Sequence, residues 1–387
     1  MFFIICSISF AQKKMLILET YISNNYAVYA VYDIIVKNIF LYCDFQIIPN
    51  HNNIIKNNSY SNIKYNIKKL TEENNADILI AYNVSSYEDK GFILSYLIFN
   101  TEKPYEWTEK NIYSKEENFF NSLNIMIKDI YSMSLNNKDI HYIKKDEYIS
   151  LIGYYNNKIK DENQYKLFFD FYKDNIYFNM DYMQYLYEKS DIDSIRDISI
   201  ILNNTEKYLT KKNHYYLSVL GDFYYGKYKV NAESEDIEKA IENYKKSIEA
   251  KKDYYIYYKK LAQAYILKND YENAAIYYNL SLKIYDKDIN LIKDAVYLLK
   301  RDMNKNGNLV IEYLKKIINL NKNDDEALEE LAGIYEDLKD EYNSEIYYKL
   351  LLEAVNYNLY IINNEKPNTV LYDKYTKKRN EIIKKLE

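Results

Sequence analysis

Across the C-terminal part of the chain, apolar and aromatic residues return every three or four positions, which is the spacing of amphipathic helices. The segment LAQAYILKNDYENAAIYY, Leu261 to Tyr278, adds small residues at Ala262 and Ala274, each between larger side chains. A single helix with one buried face does not need small residues there, whereas two closely packed helices do. The pattern therefore predicts paired helices.

These small and aromatic positions repeat at a fixed distance. Ala240 and Tyr244 lie 34 residues before Ala274 and Tyr278, and the pattern at Leu261 returns 70 residues later, about two periods. The aligned positions are Leu220, Gly221, Tyr224, Ala240 and Tyr244 in a first copy; Leu261, Ala262, Tyr265, Ala274 and Tyr278 in a second; and Leu331, Ala332, Tyr335, Ser344 and Tyr348 in a third. This period and pattern resemble the tetratricopeptide repeat, and the first copy, with seven extra residues between its helices, resembles the longer Sel-type variant.

The resemblance implies an all-α solenoid of helical hairpins over residues 213–357, with a capping helix at 368–387. Residues 146–212 are predicted to form two degenerate repeats, and between Asp288 and Asn323 the pattern weakens because the first helix is irregular. In such solenoids the first helix of each hairpin lines an extended concave surface. We therefore expect a protein or peptide partner.

Counting from the aligned leucine and small residue gives the positions that should face this groove. They are Tyr215, Ser218, Asp222 and Tyr225 in the first copy; Ile256, Lys259, Gln263 and Ile266 in the second; and Glu326, Glu329, Gly333 and Glu336 in the third. Some repeats of this family hold a C-terminal carboxylate with Lys and Asn one turn apart, and only Lys259 and Gln263 approach that pair. The third copy is acidic, so we expect the groove to prefer a basic or aromatic segment. A solvated acidic face without a ligand is the alternative.

Residues 13–140 show a different pattern, in which short apolar runs alternate with helical spacing. The predicted order is β-α-β-α-β-β-β-α, an α+β domain with helices on one face of a mixed sheet. The segments ADILIAYNV, FILSYLIFNTE and FFNSLNIMIKDIY resemble the amino-terminal domain of the translocation protein TolB and its relatives. That resemblance implies a recognition module rather than an enzyme.

The first residues resemble a secretory signal. The run FFIICSISF is followed by Ala11, and Ser9 and Ala11 have the small-x-small spacing of a cleavage site. The run is too short to span a bilayer. We therefore expect a signal peptide at 1–11, with a start further upstream, and a periplasmic or exported chain. A cytoplasmic protein that starts at Met15 is the alternative.

Composition gives little support to other functions. Gly (6) and Pro (3) are scarce, which favours long helices, and a net charge of −5 gives no basic field for nucleic acid. Two cysteines, Cys6 and Cys43, and three histidines, His51, His141 and His214, lack metal-ligand spacing, so no metal is expected. No catalytic motif, cofactor motif or small-molecule site is found, and carboxylate pairs such as Asp324–Asp325 are typical of a solvated helix start.

The sequence thus favours an exported, non-catalytic protein-interaction scaffold. A regulator or accessory factor of an envelope enzyme, in cell-wall or outer-membrane assembly, is the alternative.

Overall fold

A computed structural model of the chain describes residues 13–22, 26–43, 45–48, 60–87, 91–103, 107–133, 142–145, 148, 162–189, 191–364 and 368–386. The predicted signal peptide at 1–11, Cys6, His51 and His141 lie outside these residues. The chain divides into two compact units, Met1–Asp253 and Tyr254–Glu387. The boundaries predicted near residues 140 and 212 fall inside the first unit.

The first unit begins with a five-stranded mixed sheet in the order β2-β1-β3-β4-β5. Strand β1 is parallel to both of its neighbours, and β3, β4 and β5 are antiparallel. Its elements are β1 (Lys14–Ile22), α1 (Tyr26–Tyr42), β2 (Gln46–Ile48), α2 (Tyr60–Tyr65), α3 (Ile67–Glu73), β3 (Ile78–Tyr87), β4 (Gly91–Asn100), β5 (Trp107–Lys115) and α4 (Phe119–Tyr131).

Helices cover both faces of this sheet, so the prediction of a single covered face was wrong. On β1, Met15 and Ile17 join the core formed with α1 and α4, whereas Leu16 and Leu18 join a second core with α2 and α3. The strands have apolar residues at consecutive positions, so both of their faces are buried. In a strand with one solvent-exposed face, apolar and polar residues would alternate instead.

After α4, the described part of the first unit continues with α5 (Glu162–Tyr172), α6 (Ile176–Lys189), α7 (Ile192–Thr205), α8 (His214–Asn231) and α9 (Ser234–Ala250). Helix α1 joins them to the sheet. Lys37 Nζ lies 2.6 Å from Asp181 Oδ2 and 3.2 Å from the carbonyl oxygen of Tyr177. The buried amide of Asn38 donates to the Tyr177 hydroxyl at 3.0 Å. Sheet and helices therefore share one core.

His214, at the first turn of α8, is part of this junction. Its Nε2 lies 2.8 Å from the carbonyl oxygen of Phe40, whose ring also packs edge-on against the imidazole at 4.9 Å. Because a carbonyl only accepts, this nitrogen carries the proton and donates. Burial lowers the pKa of His214 to about 3, and nearby Lys251 acts in the same direction. His214 is therefore neutral near pH 7.

The second unit consists of helical hairpins, α10 (Tyr255–Leu267) with α11 (Tyr271–Ile284), α12 (Ile289–Leu299) with α13 (Met303–Leu320), and α14 (Asp325–Asp337) with α15 (Glu341–Asn364), followed by α16 (Thr369–Leu386). Consecutive hairpins pack on each other within the unit. The predicted fold class is confirmed, because an α+β part precedes tetratricopeptide-type hairpins. None of the helices in the described ranges combines the length and apolar character needed to cross a membrane.

The region where the repeat pattern weakens is nevertheless a regular hairpin. Leu314 of α13 is buried like its counterparts Tyr278 and Tyr348, and it lies 36 residues after the first and 34 before the second. The hairpin has two extra residues relative to its neighbours, and a short 3₁₀ turn at Lys300–Asp302 stands between α12 and α13. This insertion explains why the second and third copies of the repeat pattern lie 70 residues apart, two more than twice 34. It also makes the middle copy hard to recognise in the sequence.

The small residues of the repeat pattern are buried. Ala262 and Ala274 are completely buried in the paired helices α10 and α11. At the equivalent position of α8, Gly221 is covered by the buried ring of Tyr244, and a Cβ atom added there would lie 2.5 Å from Tyr244 Cε1. The Tyr244 hydroxyl donates to Asp222 Oδ1 at 2.8 Å, which fixes the ring in place.

Candidate partner-binding surface

The groove positions predicted in the first repeat are buried within the first unit. Asp222 is 1% exposed and accepts the Tyr244 hydrogen bond. Tyr225 packs against Tyr187 of α6 with ring centroids 5.1 Å apart, and burial raises its pKa to about 12. Tyr215 is buried as well, 6.4 Å from the ring of Phe40. The assignment of Tyr215, Asp222 and Tyr225 to an open groove was therefore wrong, because α1 and α6 cover this side of α8.

The four positions predicted in the second repeat are partly exposed. Ile256, Lys259, Gln263 and Ile266 all lie on α10 with intermediate burial. Burial raises the pKa of Asp294 on α12, against the opposing influence of Lys259 and of a 3.4 Å hydrogen bond from Tyr278. Lys259 is thus close enough to Asp294 for an electrostatic interaction. Its charge is partly balanced inside the chain.

The acidic residues predicted in the third repeat are each paired with a lysine. Glu326 lies 3.0 Å from Lys293 of α12. Glu329 lies 2.8 Å from Lys378, and Glu336 lies 2.7 Å from Lys385, both on α16. The face of α14 is therefore far less negative than a count of its carboxylates indicates. The lysines that neutralise it are too distant in sequence to be recognised from the repeat pattern.

Helix α16 is held to α14 by a small polar network. Asp325 accepts from Lys378 at 2.6 Å and from the hydroxyl of Tyr375 at 3.2 Å. Burial opposes the charge of Lys378, but the carboxylates of Asp325 and Glu329 raise its pKa above the ordinary value. Ile382 is buried against α15 and its neighbours. The predicted cap thus places its lysines on the acidic helix.

An open crevice lies between α12, α13 and α14 in the second unit. Its volume is about 150 Å³. Its floor is apolar and consists of Val296, Leu314, Ile317 and Ala327. Two ion pairs border it, Lys293 with Glu326 at 3.0 Å and Lys300 with Glu330 at 2.7 Å. The crevice therefore offers an apolar slot whose rim carries balanced charge.

Tyr297 stands at this crevice and is 69% exposed. It follows Gln263 by 34 residues and precedes Gly333 by 36, so it occupies the same repeat position. Tyr297 was not among the predicted groove positions, because the two-residue insertion hid the middle repeat. The buried series Ile292, Ala295, Val296 and Leu299 was the signal that could have located it.

No family model and no curated protein matches the sequence. Among solved structures, the chain is similar to MamA, with 18% identity, 43% of this chain and 96% of that chain covered, and a TM-score of 0.34. It is also similar to YrrB, described as a TPR protein with an unusual peptide-binding site, with 10% identity, 55% and 97% coverage, and a TM-score of 0.32. A third neighbour is PilF of Pseudomonas aeruginosa, with 13% identity, 52% and 95% coverage, and a TM-score of 0.34.

The chain's own hairpins show its class. Those hairpins, with their 34- and 36-residue spacing and buried small residues, define a helical-repeat protein of the tetratricopeptide type. A mixed α/β sheet precedes the repeats and shares a core with the first of them.

Proposed function

We propose that the chain is an exported, non-catalytic scaffold that binds a segment of a protein partner on the second unit. The observation that carries this proposal is the crevice at Tyr297. Tyr297 and the acidic rim residues Glu326 and Glu330 lie on α12 and α14, the first helices of successive hairpins, while α13 contributes Leu314 and Ile317 to the floor. The first helices form the surface that helical-repeat proteins use for binding. An exposed tyrosine beside an apolar slot is also typical of the anchor points of protein interfaces.

The crevice defines the chemistry of the segment that fits. Its apolar floor favours one apolar or aromatic side chain, because filling the slot removes apolar surface from water. The two ion pairs at the rim present both signs of charge, so flanking polar groups of either sign find a partner. We therefore expect an aromatic or apolar anchor with mixed flanking charges, in preference to an acidic tail.

A photoreactive amino acid at position 297 tests the site directly in the native cell. We expect it to crosslink one partner, and we expect Tyr297→Ala to weaken the complex. Tyr342 is the matched control, since it is 74% exposed and lies on α15, a second helix of its hairpin. Identical crosslinks from both positions, or unchanged binding by Tyr297→Ala, would refute the assignment.

Export is proposed from the N-terminal pattern alone. Cleavage after Ala11 would produce a mature chain that starts at Gln12. Edman sequencing of protein isolated from its own cell checks this. A chain that begins at Met1 or Met15 would contradict the proposal.

The TolB-like resemblance supports a recognition role for the sheet. The segments that carry it coincide with β3, β4 and α4, which contribute residues to the core that also contains α1. Deleting the sheet is not a usable test, because α1 is buried against the helices that follow. A photoreactive residue on an exposed strand position is the suitable probe.

A further inference from the structure

The two edges of the sheet differ in length and exposure. One edge is β2, which has only three residues. The other is β5, which has nine and pairs with β4 without a register shift, from Phe99↔Trp107 to Gly91↔Lys115. Within the described part of the chain no strand pairs with the outer side of β5. Among the described residues, its outward N–H and C=O groups therefore have no strand partner.

Strand β5 carries three charged residues, Glu109, Lys110 and Lys115, but it lacks two other common devices that stop edge pairing. It contains no proline and no bulge. Its alternate residues project to solvent from one face, and they include Trp107 and Tyr113, which are 47% and 52% exposed. Lys110 lies on the opposite face because side chains alternate along a strand, and its Nζ is 2.6 Å from Asp129 Oδ2. The strand is therefore long, straight and partly aromatic.

We propose that β5 pairs with β5 of a second copy of this chain, antiparallel, about a two-fold axis at Ile112. A two-fold axis perpendicular to the sheet pairs residues of the same face. In this register Ile112 of one copy lies opposite Ile112 of the other. Glu109 of each copy then lies opposite Lys115 of the other copy, which gives two such pairs. Asn111 then lies opposite Tyr113. The two sheets become one continuous sheet.

The charges select this register over its neighbours. Centring the axis on Lys110 places two lysines directly opposite each other, and centring it on Glu109 does the same with two glutamates. Like charges in directly opposed positions destabilise a strand pair. Centring on Asn111 puts Glu109 opposite Tyr113 and leaves Lys115 without a carboxylate. Lys115 has no ion-pair partner among the described residues, whereas Glu109 already attracts Lys64 at 2.6 Å and can accept from a second cation.

Site-specific disulfides test the register. Two differently tagged full-length chains, Asn111→Cys and Tyr113→Cys, both in a Cys6→Ser background, are mixed and oxidised. Directly opposed residues in antiparallel strands have Cα atoms about 4.5–5.5 Å apart, within reach of a disulfide. We expect a crosslinked heterodimer from the mixture and little product from either variant alone. Self-crosslinking of Asn111→Cys, or no heterodimer, would overturn the proposal.

A charge exchange tests the same contact without cysteines. Sedimentation equilibrium of the full chain should show a reversible dimer in the range of about 1–100 µM. Glu109→Lys should weaken the dimer about tenfold, because two opposite-charge pairs become two like-charge pairs. Adding Lys115→Glu should restore it to within about threefold. A monomer throughout this range, or a double variant no stronger than Glu109→Lys, would show that β5 is not the interface.

Discussion

Replacing Gly221 by alanine tests how the first repeat is packed. In most exposed helix positions this change stabilises a protein, since alanine has the higher helix propensity. Here the added Cβ would lie 2.5 Å and 2.6 Å from two ring atoms of Tyr244. That ring is completely buried and its hydroxyl is bound to Asp222, so it has little freedom to move.

The magnitude follows from three effects. Helix propensity contributes about 1 kcal/mol in favour of alanine. Overpacking of a buried site costs about 1–3 kcal/mol. Displacing Tyr244 from Asp222 would remove one hydrogen bond from a buried carboxylate, at a cost of a further ~1–3 kcal/mol. We therefore expect Gly221→Ala to lower the free energy of unfolding by roughly 1–5 kcal/mol, depending on whether the ring keeps its hydrogen bond.

Gly333 provides the matched control. It lies in the middle of α14, and a Cβ added there meets no atom within 4 Å. Gly333→Ala should therefore raise the free energy of unfolding by about 0.5–1 kcal/mol. The two substitutions are chemically identical and are predicted to have opposite signs.

Urea unfolding followed by far-ultraviolet circular dichroism measures both effects, with amide hydrogen exchange used to assign each transition to its unit. The variant Tyr244→Leu completes a double-mutant cycle, since without the ring Gly221→Ala should no longer destabilise. If Gly221→Ala were neutral or stabilising in the wild-type background, the close approach of α8 and α9 would be refuted.

Three further predictions follow from buried or paired groups. Ala274→Phe should lower stability by about 1–3 kcal/mol, while the exposed change Lys268→Ala should stay within about 0.5 kcal/mol, and equal melting temperatures would contradict the hairpin alignment. His214 has a pKa of about 3 in the folded chain, below its value of about 6.5 in the unfolded chain. Between these two pH values the unfolded chain binds one more proton than the folded chain. The free energy of unfolding should therefore fall by up to about 1.4 kcal/mol per pH unit as the pH drops below about 6.5. His214→Gln should remove that part of the pH dependence in urea titrations, and an unaltered slope would speak against a buried neutral imidazole. The double change Lys378→Met and Lys385→Met should expose α16 to limited proteolysis at a stability cost of about 1 kcal/mol, and unchanged cleavage would show that these ion pairs do not hold the helix.

The repeat itself was readable from the sequence, because it depends on local spacing. Small residues at Gly221, Ala262 and Ala274 are required wherever two helices approach closely, and the aromatic positions that follow them are buried in each hairpin. The mixed sheet was also readable, since continuous apolar runs and a hairpin signal define its strands. These features follow from neighbouring residues and from a constant period.

Other features depend on which distant residues meet, and only the tertiary structure decided them. Tyr225 occupies a groove position in the repeat, yet it is buried against α6, whose own position no period predicts. Glu329 and Glu336 look like an acidic surface until α16, about 50 residues later in the chain, brings lysines to them.

The crevice at Tyr297 arises in the same way. A two-residue insertion before α13 shifts its residues by two positions relative to the 34-residue period. Its core positions, such as Leu314, are buried all the same. Packing depends on the helix face that a residue occupies and not on its position in the sequence. The local pattern therefore determined which helices form. The contacts between helices determined which of their side chains remain available to a partner.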